Sequence, residues 1–212
     1  MSKPTRRKLR DKWRLKKWFS VITPPYFGEI NVASIPADEP SKLRGRVVET
    51  TLSEITNDFS HQSIKLYFII TEITDSTAKS ILKGHEYSSD YLRSLVRRGT
   101  SRIDGIFNVK SKDGYVTRVS VVAFTKARVK SSQEKAIRAI MRQVLEDKAK
   151  ELTYDQLCHE MVLGKIGSDV YNLTKKIMPL RHVGVRKSKL LTAPAAPAEA
   201  GVEGVVEAKT EV

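Results

Sequence analysis

The sequence has little of what enzyme active sites and metal sites are made from. It contains a single cysteine, Cys158, and four histidines in 212 residues. One cysteine excludes an internal disulfide and a cysteine-based zinc site, and it fits a reducing, cytoplasmic location. No His-x-x-x-His pair, Walker loop, dinucleotide fingerprint or nucleophile elbow is present. We therefore expect no catalytic residue, no metal ion and no cofactor.

The sequence also lacks long apolar runs and an excess of acidic residues. No segment reaches the roughly 20 apolar residues that span a bilayer, and no secretory signal follows the basic N-terminus. Thirty-eight Lys and Arg outnumber 24 Asp and Glu, which gives a net charge of +14. A protein of that charge repels itself unless it meets a polyanion. Nucleic acid is therefore the leading partner, with an anionic membrane surface, or no polyanion at all, as the alternatives.

The positive charge is unevenly distributed along the chain. Residues 1–18 contain nine basic residues and one acidic residue, a net charge of +8, whereas residues 192–212 have a net charge of −3. The acidic end is mainly Ala, Pro, Gly, Val and Glu, a composition that cannot bury enough apolar surface to offset its ordering entropy. We predict a basic RNA-binding arm at 1–20, a single domain at 21–191 and a disordered acidic tail at 192–212.

The arm combines cations with aromatic side chains. Lys and Arg meet phosphates, while the indoles of Trp13 and Trp18 can stack on unpaired bases, so the combination suits an RNA groove. A nuclear localisation signal, or a solvated tail whose tryptophans pack against the domain, would have a similar sequence. The RNA-binding candidates in the arm are Arg6, Arg7, Lys8, Arg10, Lys12, Trp13, Arg14, Lys16, Lys17 and Trp18.

Hydrophobic periodicity predicts mainly strands up to residue 126, with one short helix among them, and mainly helices after it. Period-two or β-branched patterns occupy 44–51, 63–74, 77–87, 101–110 and 115–126, and an Asp113-Gly114 turn joins the last two. Helical patterns occupy 89–98, 153–163 and 168–178, and a Ser131-x-x-Glu134 capping box opens a fourth helix. Four prolines make 22–41 irregular, and 181–191 is extended. We predict an α+β fold with a predominantly antiparallel, β-barrel-like sheet, flanking C-terminal helices and a basic N-terminal extension.

Arg44 and Arg46 flank Gly45 inside the first predicted strand. In a strand, both arginines leave the same face about 7 Å apart, which suits two adjacent phosphates. The alternative is that one of them pairs with Glu49 or Glu54 and only contributes to the sheet surface.

Further basic groups lie beside the predicted elements. Positive charge after the short helix also complements the helix dipole, so those residues have a structural alternative. Several groups on one chain favour a distributed phosphate-binding surface over one discrete site. The remaining RNA-binding candidates are Arg97, Arg98, Arg102, Lys126, Arg128, Lys130, Arg186, Lys187 and Lys189.

Several segments resemble one known family. Residues 43–52, Leu-Arg-Gly-Arg-Val-Val-Glu-Thr-Thr-Leu, are similar to the most characteristic motif of a small-subunit ribosomal protein family of archaea and eukaryotes, although Glu54-Ile55 replaces the usual Asp-Leu. Further similar segments, in order, are Lys16-Lys17-Trp18-Phe19, Thr56-Asn57-Asp58, Asp113-Gly114-Tyr115, Ile166-Gly167-Ser168-Asp169 and Ile177-Met178-Pro179-Leu180. The ordered set identifies the chain as a member of this family, called S-three-Ae or e-S-one, in a form like its shorter archaeal members.

The resemblance implies a β-barrel-like core on the platform of the small ribosomal subunit, near the 3′ end of the ribosomal RNA and the messenger RNA exit. It implies a cytoplasmic, non-enzymatic ribosomal protein whose partners are the ribosomal RNA of the small subunit and neighbouring platform proteins. Messenger RNA near the exit is a further candidate partner, and no membrane is expected. An RNA-binding module of a non-ribosomal RNA-processing particle is the alternative. An RNA-modifying or RNA-cleaving enzyme would require a convergent polar pocket.

Overall fold

Eight strands and five helices follow one another along the chain, and the computed structural model describes residues 12–192. The predictions for most of the arm and for the tail therefore lie outside the described residues. The strands are β1 (Lys17–Ile22), β2 (Asn31–Ala37), β3 (Val47–Thr51), β4 (Ile64–Thr74), β5 (Thr77–Tyr87), β6 (Arg102–Lys110), β7 (Val116–Thr125) and β8 (Leu180–Thr192). The helices are α1 (Leu52–Thr56), α2 (Ser89–Leu95), α3 (Ser131–Glu151), α4 (Tyr154–Val162) and α5 (Lys165–Thr174).

Strand β5 is the branch point of the sheet. Its whole length pairs with β4, while its other edge is divided between a parallel pairing with β1 at its start and an antiparallel pairing with β8 near Glu86. From there the sheet continues through β1 to β2, through β8 to β7 and β6, and through β4 to β3. The α+β prediction is confirmed, and the sheet is mixed, since β1 pairs parallel to β5 while the other described pairings are antiparallel. The barrel-like closure is wrong, because over residues 12–192 the sheet branches at β5 and its outer strands do not pair with each other.

One face of the sheet carries the main core. The strand residues Leu66, Phe68 and Val119 are buried on this face, and the α3 residues Ile137 and Met141 pack against them. Full burial of an aliphatic or aromatic side chain is worth about 2 kcal/mol, whereas an exposed ion pair is worth under about 1 kcal/mol. Apolar burial therefore holds α3, α4 and α5 on this inner face.

The opposite face, which we call the outer face, is only partly covered. Helix α2 lies over one end of it, where Leu92 packs on Val122 and Phe124. Beyond α2 the same face presents Tyr67 from β4 and Arg118 from β7, alternating with buried neighbours. The sheet thus has helices packed on its inner face and a largely polar surface on most of its outer face.

The N-terminal part of the body is more regular than its prolines indicate. Residues 17–22, most of which fall within the predicted arm, form β1, and residues 31–37 form β2 within the segment predicted to be irregular. Strand β2 tolerates Pro36 because it lies at an edge of the sheet, where a missing backbone donor breaks no inner ladder.

The strands predicted from period-two or β-branched patterns are confirmed at β4, β5, β6 and β7, within one residue of their ends. The segment predicted only as extended, 181–191, forms β8. The capping box at Ser131 is wrong by one residue. Lys130 is the N-cap of α3, and its backbone nitrogen donates to Gln133 Oε1 at 3.2 Å.

Candidate nucleic-acid interface

The described end of the arm exposes aromatic rings beside cations. Lys12 begins a 3-10 turn, and the side chains of Trp13 and Trp18 are 61% and 63% exposed. The ammonium of Lys16 lies 4.2 Å from the centre of the Trp13 ring, a cation–π contact. Arg14 and Lys17 are also exposed. Arg6, Arg7, Lys8 and Arg10 lie outside the described residues.

Two loops at one end of the sheet are tied together by hydrogen bonds. The Ser101 nitrogen donates to Thr125 Oγ1 at 2.9 Å, and the Thr125 nitrogen donates to the Ser101 carbonyl at 3.0 Å. The Val129 nitrogen donates to Ser101 Oγ at 3.2 Å. The loop after α2 and the loop before α3 therefore adjoin.

Basic residues from both loops form what we call the loop patch. Its exposed members are Arg97, Arg98, Lys126, Arg128 and Lys130. These residues come from two groups that are separate in the sequence, and the Ser101–Thr125 contacts bring them together. Arg102, at the start of β6, pairs with Asp104 at 3.0 Å, so its charge is already balanced.

The helix-dipole alternative for Arg97 and Arg98 is weakened by a third arginine. Arg181 Nη1 donates to the Leu95 carbonyl at 3.3 Å, at the last residue of α2. Since Arg181 meets the helix terminus, the side chains of Arg97 and Arg98 remain available to an outside partner.

A second group of cations, which we call the sheet patch, crosses the outer face on neighbouring strands. Lys189 of β8 lies directly opposite Arg118 of β7, and Arg118 Nε donates to Asn108 Oδ1 at 3.0 Å. Lys187, two residues before Lys189, pairs with Glu86 at 2.8 Å. Lys83 of β5 completes the patch beside the β8 backbone.

Arg186 stands apart from its neighbours in β8. It is the extra residue between the pairs Ser120–Lys187 and Val121–Val185. Its side chain is half-buried, and no group among residues 12–192 accepts a hydrogen bond from its Nε. The bulge thus separates Arg186 from the sheet patch.

Arg44 and Arg46 lie in a turn before β3, so the premise that a strand places them on one face is wrong. Gly45 has φ +83° and donates to the Ile70 carbonyl at 2.9 Å, while the Ile70 nitrogen donates to the Arg46 carbonyl at 3.0 Å. This left-handed conformation favours glycine. Both arginine side chains are exposed.

The proposed acidic partners of these arginines are occupied elsewhere. Glu49 pairs with Lys65 at 2.7 Å, and Glu54 accepts hydrogen bonds from the hydroxyls of Thr50 and Thr51 at 2.6 and 3.1 Å. The described contacts therefore do not favour an arginine–glutamate pair at this turn.

Titratable groups in the interior serve the fold. Cys158 is buried, and burial raises the pKa of its thiol to about 12, so it is neither a nucleophile nor a ready metal ligand. His85 is completely buried, and burial lowers its pKa to about 4. Between residues 12 and 192, no three His, Cys, Asp or Glu side chains are grouped to hold a metal ion. None of the described helices has the length and apolarity to cross a bilayer.

Residue-by-residue reasoning missed two cations of the sheet patch and the tyrosine beside them. Lys83, Arg118 and Tyr67 are single residues in apolar strands, and none belongs to a charge run. Their common signal is that each occupies an outward position of a strand whose alternate residues are buried. Strand pairing, which no local pattern contains, places them next to Lys187 and Lys189.

Comparison with known proteins gives a consistent result over nearly the whole chain. The model of the ribosomal S3Ae family matches residues 4–194. The chain is 50% identical over 193 residues to a protein of Staphylothermus marinus, covering 90% of this chain and 91% of the relative. It is 47% identical over 213 residues to a protein of Desulfurococcus amylolyticus, covering all of both chains. It is 48% identical over 190 residues to a protein of Aeropyrum pernix, covering 88% and 89%.

Each of these three relatives carries the name small ribosomal subunit protein eS1. Membership of a family of ribosomal proteins confirms the expectation that the chain is not an enzyme. The motifs found in the sequence, the extent of the family match and the identity to these relatives agree, and the chain belongs to the ribosomal S3Ae family.

Proposed function

We propose that the chain is a structural constituent of the small ribosomal subunit that binds ribosomal RNA on the platform, near the messenger RNA exit. The observation that carries the proposal is the full-length similarity to relatives named small ribosomal subunit protein eS1. The loop patch and the sheet patch support it, because most of their cations have no ion-pair partner within residues 12–192. Neighbouring platform proteins and messenger RNA near the exit are its further proposed partners.

The mechanism is binding without chemistry. Each ammonium or guanidinium that meets a phosphate releases a condensed counterion, which gives affinity that falls with salt. Contacts of this kind fix the orientation of RNA and protein and carry little sequence information. The hydrogen bonds between Ser101 and Thr125 hold the loop patch in place before RNA arrives, so little loop entropy is lost on binding. The arm at 1–20 extends this phosphate-binding surface.

Gradient sedimentation of a lysate containing the tagged chain tests the proposal. A structural constituent migrates almost entirely with the small subunit, and stays there at moderate salt because many contacts act together. Migration with a smaller RNA-processing particle would instead favour the alternative function. Crosslinks between RNA and protein, mapped in the intact particle, then give the position on the subunit.

A charge-neutralised loop patch provides the matched variant. Replacing Arg97, Arg98, Lys126, Arg128 and Lys130 by Ala is expected to lower incorporation into the subunit at an unchanged melting temperature. Lys175→Ala with Lys176→Ala is the control, since both residues are exposed just after α5 and lie outside both patches. Equal incorporation of the two variants would contradict the role of the patch.

A further inference from the structure

An open groove of about 300 Å³ lies on the outer face, where β5 meets β8. Tyr67 and Val47 form an apolar side of it, and lysines from β5 and β8 form the other. Val47 is 40% exposed, and the Tyr67 ring is half-buried. The volume is at the small end of the range of ligand sites.

Gly84 lines the groove and allows the β8 backbone to approach β5 closely. A Cβ atom at this position would lie 2.1 Å from the Ser188 carbonyl oxygen and 3.2 Å from the Lys189 Cα. Glycine in a strand is typical of such a close approach of another backbone. Tyr67 pairs directly with Gly84 in the β4–β5 ladder, so its ring borders a position without a side chain.

Two β-bulges shape the site further. Lys83 is the extra residue of β5 between the pairs Tyr67–Gly84 and Phe68–Leu82, and Arg186 is the extra residue of β8. Bulges bend a strand and redirect its side chains, and they are frequent beside binding sites. Here they bring Lys83 to the same groove as Lys189.

The charge of the groove is positive and only partly balanced. Glu86 lies in the groove, but Lys187 neutralises it at 2.8 Å. Over the described part of the chain, Lys83 and Lys189 have no ion-pair partner. Arg118, opposite Lys189, extends the positive charge along β7. An anion that enters the groove therefore meets two available ammonium groups.

An aromatic ring beside unpaired cations fits one ligand chemistry in particular. A nucleobase that has left its helix stacks on an aromatic side chain, while its phosphates bind lysines. A base-paired duplex keeps its bases stacked inside and offers no free base to the Tyr67 ring. An acidic peptide would satisfy the lysines, but it would leave the aromatic side of the groove without a specific partner.

We propose that this groove binds an unpaired nucleotide of ribosomal RNA, with the base on Tyr67 and Val47 and the phosphates on Lys83 and Lys189. The inference rests on the proposed function and gives it a defined ligand class. It differs from the distributed phosphate contacts because it distinguishes single-stranded RNA from duplex RNA.

The test uses the full chain and two fluorescent RNAs, an oligouridine of eight nucleotides and a duplex of equal total charge. Tyr67→Leu is expected to lower the affinity for oligouridine about tenfold or more, as the loss of base stacking does, and to leave the duplex affinity unchanged. Tyr67→Phe keeps the ring and is expected to bind like wild type. Lys83→Ala and Lys189→Ala are each expected to flatten the salt dependence for oligouridine by about 0.7 on log–log axes.

Lys79→Ala is the control within β5, because Lys79 is exposed, pairs with Glu72 and lies outside the groove. Wild-type affinity of Tyr67→Leu for oligouridine would overturn the proposal and leave the proposed function intact. Absence of any RNA binding by the wild-type chain would instead contradict the proposed function. Binding of poly-glutamate as tight as that of oligouridine would also overturn the base-binding role.

A second measurement uses assembled small subunits, so that only protein folded well enough to assemble contributes. A benzophenone amino acid at position 67 is introduced into the chain in small subunits that are free of messenger RNA. A crosslink to a single-stranded nucleotide of the ribosomal RNA is the expected result. A crosslink confined to protein, or one that forms only after messenger RNA is added, would overturn the assignment.

Discussion

His85 of β5 and Ser188 of β8 are joined by two hydrogen bonds, although they are 103 positions apart in the chain. Ser188 Oγ lies 2.7 Å from His85 Nδ1 and also accepts a hydrogen bond from the His85 backbone nitrogen at 3.1 Å. His85 Nε2 lies 3.2 Å from the Val185 carbonyl, which can only accept. Burial lowers the pKa of the His85 ring, so at neutral pH the ring is neutral. Its proton then lies on Nε2, and the serine hydroxyl donates to Nδ1.

This arrangement predicts that acid destabilises the protein before its carboxylates titrate. Burial lowers the pKa of His85 to about 4. Between about pH 6.5 and about pH 4 the unfolded state therefore binds a proton at this histidine that the folded state does not bind. The stabilisation is complete above the unfolded pKa near 6.5 and is lost as the pH falls towards 4, by up to about 3 kcal/mol. Chemical denaturation between pH 7 and pH 5 measures it.

His85→Gln is the control, and its stability is expected to depend less on pH over the same range. Some dependence of stability on pH remains in this variant, because the pKa of His182 is also lowered. Burial is the larger cause of that shift, and the nearby charge of Arg181 is the smaller. A wild-type stability that is constant from pH 7 to pH 5 would contradict the role of His85.

Two glycines are expected to respond differently to alanine. Gly84→Ala places a Cβ 2.1 Å from the Ser188 carbonyl oxygen, and we expect a loss of about 3 kcal/mol from forced separation of β5 and β8. Gly45→Ala meets no atom within 4 Å and suffers only from its φ of +83°, at about 1 kcal/mol. Urea denaturation of both variants tests the order. A Gly84 variant as stable as the Gly45 variant would mean that β8 can move away without cost.

Arg46→Ala is expected to leave the melting temperature near that of wild type and to reduce incorporation into the subunit. The backbone bond from the Ile70 nitrogen to the Arg46 carbonyl is kept, and the exposed side chain has no ion-pair partner within residues 12–192. Arg142→Ala is the matched control, because this exposed arginine pairs with Glu146 on α3. A destabilised Arg46 variant that assembles normally would assign the residue to the fold.

Deletion of residues 1–11 is expected to weaken RNA binding and flatten its salt dependence. Each phosphate that the shortened chain no longer neutralises lowers the slope by about 0.7 to 0.9 on log–log axes. The deletion stops before Lys12 so that β1, which begins at Lys17, is retained. Removal of residues 193–212, an acidic segment, is expected to leave RNA affinity almost unchanged. If the chain without residues 1–11 keeps the full slope, the phosphate-binding residues lie beyond residue 11.

Local patterns predicted the hairpins well and the assembly of the sheet poorly. Asp113-Gly114 and the period-two runs beside it predicted β6 and β7 because a hairpin needs only neighbouring residues. The branch at β5 depends on which distant strand meets each half of its edge, and no local pattern contains that choice. Strand β1 was missed because most of its residues were assigned to the basic arm, and β2 because prolines outweighed a short alternation at a sheet edge.

The candidate interface divides in the same way. Charge runs in the sequence named the members of the loop patch as two separate groups, and also Lys187 and Lys189 of the sheet patch. The contacts between Ser101 and Thr125 join the two groups. Tyr67, Lys83 and Arg118 become part of a surface only through cross-strand pairing. The β-branched residues after Arg44 and Arg46 favour a strand at these positions, whereas the conformation of Gly45 makes a turn there.

The position of β8 has a consequence for the order of events during synthesis. Among residues 12–192 it is the last strand along the chain, yet it lies between β5 and β7 and joins them. Until residues 180–192 emerge, the β4–β5 hairpin and the β6–β7 hairpin have no shared ladder, and the ring of His85 has no serine to bind. Before that point the two hairpins expose unpaired strand edges, so we expect the pairing of residues 180–192 to be the step that joins them.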